Sequence, residues 1–504
     1  MRIAVIFPNL NGSPQTLDLG LVYLATYISE RTHHQIKIID TTFHSRHWRS
    51  HVRSQIEEFK PDVIGFSVFS VLWDYSQQIA RDIRTYWNVP HIFGGYQAVM
   101  DPEPTIESDV VDVICTGEGE HTLAEYLDTL EQKKPLKGVK GIWFKEGGKV
   151  IKNDFRPAIP DLDTLPFPNW DLFDDIEKYL FFLGRLYAIG TRGCPYRCSF
   201  CAETSLEVTF AGKRWRERSP EKYVEEISYQ YEKYKNRGMV GAHLFDTVFS
   251  FNDQWLDRWT AQYRVKGLDK KLPFTVFVRP DNKNAAPLKI LKLAEAGCAQ
   301  VRMGIESGDD SIRKAELKKP GCTNTGIYEI VAKLNDAGIL AKTYSIIGFP
   351  HDTEGSVRRT IRFADNPMVQ TQFVLSYTPI QGTPMAMKMK EGMNSKGTKN
   401  VHSFHFSGGV KNSNYSRWFV DRMLLWCYLY FGTKQAAASF LADPINFLKV
   451  VPSRIVMGLY WGNPLLLTTL YGIIHASFWP GWRRRQKRRW NRKFRVLYQT
   501  VVAR

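Results

Sequence analysis

Three cysteines, Cys194, Cys198 and Cys201, fall within eight residues of the run Gly190-Thr191-Arg192-Gly193-Cys194-Pro195-Tyr196-Arg197-Cys198-Ser199-Phe200-Cys201. Thiolates grouped this closely select a soft metal or a metal cluster. A closed structural zinc site takes four ligands, so three leave it one short. Thiolates also hold iron–sulfur clusters. Three of them on a four-iron cluster leave one iron without a protein ligand, and an open coordination position is what a catalytic metal needs. The other cysteines, Cys115, Cys298, Cys322 and Cys427, are scattered without framework spacing. That usage fits a reducing compartment better than a disulfide scaffold.

The elements that must position this cluster read as two successive α/β units. From 1 to about 140, apolar strand runs (Ile3–Phe7, Ile36–Ile39, Val63–Phe66, His91–Phe93, Val111–Cys115) alternate with helical patterns near Leu17–Ser29, Val52–Phe59, Tyr75–Tyr86 and His121–Glu131. Short buried strands with helices between them predict a parallel, doubly wound, Rossmann-like sheet. Such sheets bind ligands beyond the carboxyl ends of their strands. Here those ends carry Asn9, Ser67 to Ser70, Gly94-Gly95-Tyr96-Gln97 and Gly117-Glu118-Gly119-Glu120. No Gly-x-Gly-x-x-Gly follows the first strand, which argues against a dinucleotide. A hairpin turning at Gly147-Gly148 and a linker broken by Pro157, Pro160, Pro166 and Pro168 fill 141–185.

Six further strands are expected at Tyr187–Gly190, His243–Phe245, Phe274–Val278, Gln300–Gly304, Thr343–Ile347 and Phe373–Tyr377, with helices such as Pro220–Lys235 between them. Ser219-Pro220-Glu221 supplies a hydroxyl cap, a first-turn proline and an early acid. Six β/α units predict a partial (β/α)6 barrel of the TIM type over 186–384, with its chemistry on the loops after the strands. The three cysteines follow the first of these strands directly.

Beyond 385 the alternation stops, and 385–504 is expected to form a helical domain rich in aromatics. From Ile455 to Trp482 no charged side chain occurs, although Asn463, Pro464 and His475 interrupt the run. An Arg-rich segment from Arg483 to Arg495 follows and accounts for much of the formal charge of +17. An interfacial membrane anchor and a buried helical cap on the barrel are both open for this region. Met1-Arg2 leads straight into the first strand without a secretory apolar region. A cytoplasmic address is therefore expected, with the C-terminus as a candidate peripheral contact on the inner membrane face. Hydrophobic content of 43% and charged content of 24% are those of a globular chain.

The spacing C-x3-C-x2-C, with Phe200 before the last cysteine, resembles the signature of the radical S-adenosylmethionine (SAM) enzymes. That resemblance implies a [4Fe-4S] cluster on Cys194, Cys198 and Cys201, whose open iron chelates the amino and carboxylate groups of SAM, with Phe200 near the adenine. It extends to Phe245-Asp246-Thr247-Val248-Phe249, where Thr247 stands in place of the family's second acid and leaves Asp246 as the SAM contact. Gly304-Ile305-Glu306-Ser307-Gly308 is similar to the family's fourth-strand motif, which brings in Glu306 and Ser307. Ile346-Ile347-Gly348-Phe349-Pro350 is similar to the fifth and brings in Gly348. His351-Asp352-Thr353 departs from the usual Gly-Glu-Thr there. Arg279, ending the third strand, is placed to pair with the SAM carboxylate. Thr378-Pro379-Ile380-Gln381-Gly382-Thr383-Pro384 resembles the family's Pro-Gly-Thr-Pro.

The order of parts, with Asp161-Leu162-Asp163-Thr164-Leu165-Pro166-Phe167-Pro168 between the two units, is similar to the cobalamin-binding branch of this family. The resemblance implies cobalamin over Asn9, Ser67, Ser70, Gly94, Gly95, Tyr96, Gly117 and Glu118. No Asp-x-His-x-x-Gly offers a lower cobalt ligand, and Gln97 stands where Gly-Gly-Pro-His is common. The implied reaction is SAM cleavage to a 5′-deoxyadenosyl radical followed by methyl transfer to an unactivated carbon. The aromatic C-terminus suggests a hydrophobic substrate such as a lipid, terpenoid or tetrapyrrole, and flavodoxin or ferredoxin is the expected electron donor. Cyclisation, ring contraction or oxidation without methyl transfer is the alternative within the branch. A non-catalytic iron–sulfur module is the alternative outside it. Methylthiolation of tRNA would require three more cluster cysteines in the first domain, which has Cys115 alone. The basic residues crowd one tail and form no distributed groove, so no nucleic acid is expected.

Overall fold

The computed structural model describes residues 1–14, 17–209, 215–249, 251–392 and 414–442. The first sheet is built from β1 (Arg2–Phe7), β2 (Gln35–Asp40), β3 (Val63–Ser67), β4 (His91–Gly94) and β5 (Val113–Cys115), all parallel, in the order β2-β1-β3-β4-β5. The hairpin β6 (Ile142–Glu146) and β7 (Lys149–Lys152) extends its edge antiparallel to β5. Alternate side chains of β1 enter different cores: Ile3, Val5 and Phe7 pack on one face, Ala4 and Ile6 on the other. Both faces are covered, which is why these strands read as continuous apolar runs. The strand order reverses between β1 and β3, and a doubly wound sheet opens its ligand crevice at such a point. The helix Leu19–Arg31 starts there, where the buried Asp18 accepts the Leu21 N–H at 3.0 Å and the Ser67 hydroxyl at 2.6 Å.

The second sheet opens with β8 (Arg185–Ala188). A two-stranded ribbon follows, β9 (Thr191–Arg192) against β10 (Arg216–Glu217), and the cysteines lie between its strands. The sheet continues through β11 (Gly241–Leu244), β12 (Phe274–Phe277), β13 (Cys298–Glu306), β14 (Leu340–Ile347) and β15 (Gln370–Ser376). All six main strands are parallel in the consecutive order β8-β11-β12-β13-β14-β15, the expected partial barrel. Ser219 caps the helix Pro220–Tyr234 through the Lys222 N–H. Thr353 and Ser356 form a reciprocal capping box on the helix Glu354–Ala364.

One apolar cluster runs from Phe7 on β1 through Trp170, Phe173 and Tyr179 of the linker to Tyr223 and Trp259 behind the barrel. The two sheets therefore share a core instead of being joined by a loose tether. The helix Arg417–Ala442 covers the β15 edge, burying Val420, Leu424 and Cys427 against Ile347, Val357 and Val374. Among the described residues no helix is long and apolar enough to cross a membrane. The uncharged run Ile455–Trp482 and the Arg-rich segment after it lie outside the described residues.

Candidate functional site

The cysteine loop is held at both ends. Cys201 N–H donates to the Cys198 carbonyl at 3.2 Å, and the Thr204 hydroxyl donates to the same oxygen at 2.8 Å. Ser199 N–H reaches the Leu317 carbonyl at 3.2 Å, and Thr247 donates to the Gly193 carbonyl at 2.8 Å. Thr247, which replaces the family's second acid, thus fastens the start of the loop. The thiols are partly buried. Burial pushes Cys201 up to about 12, with the charges of Cys198 and Cys194 adding to it. Thiols in such a place give up their protons to a bound cation.

Among the described residues, the only His, Cys, Asp or Glu ligand atoms found three or more together within 4.8 Å of one another belong to His33, His34, Asp128 and Glu131. The three cysteine sulfurs are not all within 4.8 Å of one another. Thiolates sharing one tetrahedral zinc, with bonds of about 2.3 Å, would lie about 3.8 Å apart. Three thiolates on a four-iron cluster would each take a separate iron and need not come that close.

Arg279 meets the loop from the end of β12. Its Nη1 donates to Cys198 Sγ at 3.8 Å, Nε to Asp281 Oδ2 at 2.6 Å and Nη2 to the Pro320 carbonyl at 2.6 Å. The guanidinium also lies 4.2 Å over the Tyr196 ring. A second buried cation, Lys319, feels the charge of Cys198 and pairs with Glu306 Oε1 at 3.0 Å. No sequence motif marks Lys319, and sequence reasoning missed it. Glu306 takes a left-handed backbone, φ +66°, which is strained for a residue with a side chain. A Cβ at Gly304 would fall 2.2 Å from Glu306 Oε1, so glycine there makes room for that carboxylate.

The remaining residues expected around SAM are distributed over the same rim. Phe200 packs edge-on to Phe349 at 5.8 Å. Ser307 is fully buried and sits 3.5 Å from the Thr360 hydroxyl. Gly348, at φ +88°, and Phe349 both give their N–H groups to Asp352 Oδ2 at 3.0 Å. Asp352, part of the departure from Gly-Glu-Thr, is therefore what closes this turn. Asp246 lies at the entry to the cysteine loop. It is fully buried and accepts Gly190 N–H at 2.9 Å, the Thr191 hydroxyl at 2.7 Å and the Tyr223 hydroxyl at 2.8 Å. Burial pushes its carboxyl up to about 6. Both oxygens accept bonds from inside the protein, which fastens the entry to the cysteine loop.

In the first domain Ser70, Gly95 and Tyr96 are exposed at the ends of β3 and β4, and Phe69 and Tyr96 stack at 5.7 Å. This rim faces the cysteines: the Tyr96 hydroxyl donates to Glu203, two residues past Cys201, at 3.2 Å. An exposed aromatic and small residues over the strand ends fit a flat cofactor laid on the sheet. Gly94 is half-buried beside Cys115, and Gly117 precedes Glu118 on the neighbouring loop. Asn9 is buried and bonds inward to the Ser13 carbonyl and the Thr42 hydroxyl, while Ser67 is used by Asp18.

Glu118, on the same loop as Gly117, turns to the ribbon β9–β10. It accepts from Arg192 at 3.0 Å, from Arg216 at 2.9 and 3.0 Å, and from the Ile159 N–H at 2.6 Å. Burial raises its carboxyl, yet Arg192 and Arg216 outweigh that and hold it below its usual range. The acid is engaged across the domain boundary.

Known proteins repeat this arrangement. The radical SAM superfamily pattern matches residues 188–364, and the B12 binding domain pattern matches residues 12–127. An uncharacterised methyltransferase of Pyrococcus horikoshii is 34% identical over 395 residues, covering 76% of this chain and 82% of that protein. An anaerobic magnesium-protoporphyrin IX monomethyl ester cyclase of Cereibacter sphaeroides is 23% identical over 406 residues, covering 78% and 64%. The structure of the radical SAM methyltransferase TsrM from Kitasatospora setae, bound to tryptophan and a SAM analogue, superposes with a TM-score of 0.63 at 19% identity, covering 78% of this chain and 76% of that one. At that identity the likeness is one of fold. The chain belongs to the radical SAM family, in the branch that carries a B12-binding domain, and is an enzyme whose cofactors are a [4Fe-4S] cluster, SAM and cobalamin.

Proposed function

We propose that this enzyme methylates an unactivated carbon of a hydrophobic substrate, drawing one electron at a time from a flavodoxin or ferredoxin. On this reading 1–140 holds cobalamin, 141–185 is the linker, 186–384 holds the cluster and SAM, and 385–504 helps bind substrate. The observation that carries it is the approach of the two cofactor regions, with Tyr96 of the first domain bonded to Glu203 beside Cys201. When bound, the cluster supplies the electron that splits SAM into methionine and a 5′-deoxyadenosyl radical, and cobalamin supplies a methyl carrier.

The chain's own residues do the rest. Cys194, Cys198 and Cys201 hold the cluster. Arg279, already touching Cys198, offers its planar fork to the SAM carboxylate. The strained Glu306, Ser307 and the turn at Gly348 shape the far side of the SAM site, and Phe200 covers the adenine beside Phe349. Ser70, Gly95 and Tyr96 give cobalamin its floor, and the shared core fixes the two sheets that carry the site.

A second reading, radical cyclisation or oxidation without methyl transfer, is favoured by the likeness to the cyclase. Anaerobic reconstitution of the full chain with iron, sulfide, hydroxocobalamin, SAM and a reductant separates the two. Methyl transfer yields both 5′-deoxyadenosine and S-adenosylhomocysteine. Deoxyadenosine alone supports the second reading, and a bound cluster yielding neither nucleoside refutes both.

A further inference from the structure

The Gly117-Glu118-Gly119-Glu120 loop follows β5 of the first sheet, on the side where a doubly wound fold presents its ligand loops. Its two acids turn to the barrel. Glu118 takes Arg192 of β9 and Arg216 of β10 together, the latter through two nitrogens. Glu120 takes Arg192 Nη2 at 2.5 Å and Nη1 at 3.4 Å. Arg216 also donates to the Ile159 carbonyl at 2.6 Å, and Ile159 N–H returns to Glu118 at 2.6 Å, so the linker closes the ring. The side chains of Glu118, Glu120 and Arg216 are 10%, 5% and 6% exposed. Paired, forked and shielded from salt, such contacts act as positional constraints more than as surface charge pairs.

Arg192 lies two residues before Cys194, and Arg216 lies opposite it in the ribbon whose strands flank the cysteine loop in sequence. A second node follows the same pattern. Arg218 pairs with Glu226 at 2.5 Å and donates to the Leu162 and Leu165 carbonyls at 3.0 Å, while Tyr23 of the first domain donates to Glu226 at 2.5 Å. Both nodes tie the residues flanking the cysteine loop to the first domain or its linker.

We infer that Glu118 and Glu120 are positioning residues: they clamp the β9–β10 ribbon to the first domain and so set the cysteine loop at a fixed place relative to the cobalamin side. The clamp acts through Arg192 and Arg216. Its purpose is register between two reacting centres carried on different sheets, because a displacement of about 1 Å is enough to cost a reaction of this kind most of its rate. The inference rests on the proposed function for what the register serves, and the ribbon itself is read independently of it.

The test is hydrogen exchange by mass spectrometry on the reconstituted full chain, in Glu118→Gln and Glu120→Gln. The peptides spanning 190–201 and 215–218 are expected to exchange at least tenfold faster in Glu118→Gln, with cobalamin per chain unchanged. The signal of the reduced cluster in electron paramagnetic resonance is expected to broaden. The ratio of 5′-deoxyadenosine to S-adenosylhomocysteine is expected to rise several-fold as cleavage escapes its partner reaction. Glu120→Gln, which leaves the Arg216 pair intact, should loosen only the 190–201 peptide. Unchanged ribbon exchange in both variants overturns the clamp. So does cobalamin loss from Glu118→Gln with a quiet ribbon, and so does exchange that rises evenly across the chain in both variants. Absence of both nucleosides from the wild type counts against the proposed function and leaves the exchange result to decide the clamp.

Discussion

Gly190 to alanine is a one-carbon change whose cost can be worked from the structure. A Cβ at this position would lie 2.3, 2.5 and 2.8 Å from three ring atoms of Tyr223, against an ordinary carbon separation of about 3.5 Å or more. No positive φ is involved, so the whole penalty is contact. Tyr223 is fully buried, with the rings of Trp255 and Trp259 at 6.1 and 6.3 Å. To move, it must also give up its 2.8 Å hydrogen bond to Asp246, the carboxylate that holds Gly190 N–H and Thr191. Overpacking costs about 1–3 kcal/mol, and a hydrogen bond lost to a buried carboxylate about 1–3 more. The sum is about 2–6 kcal/mol, or a Tm lowered on the order of 2–6 °C for a chain of this length.

Gly355→Ala is the control, since its nearest neighbours are 3.5 and 3.6 Å away and it lies on a helix. It should fall within about 1 kcal/mol of wild type, on the stabilising side. Thermal and urea unfolding of both variants, without cofactors, measure the difference. The double variant Gly190→Ala/Tyr223→Leu should lose less than the two single losses added together. A Gly190→Ala protein within 1 kcal/mol of wild type, or strict additivity in the double variant, refutes the account of how the loop entry is packed.

Burial pushes the Glu226 carboxyl up to about 7 against an unfolded value near 4.5. Its protonated form therefore contributes stability that is full below about pH 4.5 and is lost as pH rises through 7. Glu226→Gln, uncharged throughout, should gain on wild type between pH 5 and 8 by up to about 3 kcal/mol, and parallel stability curves would sink this. Asp352→Asn leaves one acceptor oxygen for the Gly348 and Phe349 N–H groups and the Ser356 hydroxyl; a loss of about 1–3 kcal/mol in thermal unfolding is expected, and an unchanged Tm speaks against its role in the turn. Arg279→Lys keeps a charge but not the fork joining Cys198, Asp281 and Pro320. The KM for SAM should rise about tenfold, from roughly 1.5 kcal/mol of lost pairing, and an unaltered KM would remove Arg279 from the SAM site.

Much of the fold was legible because its signals are local. Alternating apolar strands and amphipathic helices, the proline-broken linker and the Ser219-Pro220 helix start each depend on a few neighbouring residues. The six barrel strands formed in consecutive parallel order, with ends moved by a few residues at most, as at β14, which begins at Leu340 where Thr343 was expected. The three cysteines were equally legible, since thiol chemistry and spacing restrict the ligand without any knowledge of the fold.

Which partners the strand-end acids find inside the protein was decided only by tertiary structure. Asp246 and Glu118 both sit at strand ends, where a doubly wound sheet or barrel presents its ligands, and nothing beside them in sequence says otherwise. Their partners Tyr223, Arg192 and Arg216 come from other elements, some nearly 100 residues away. Lys319 is found beside Cys198 and Glu306 only once β13 and the loop after it are folded. A residue's type and its neighbours set what it is able to bind. A buried carboxylate is claimed by whatever donors or opposite charges the fold brings within about 3 Å, because leaving it unpaired is costly.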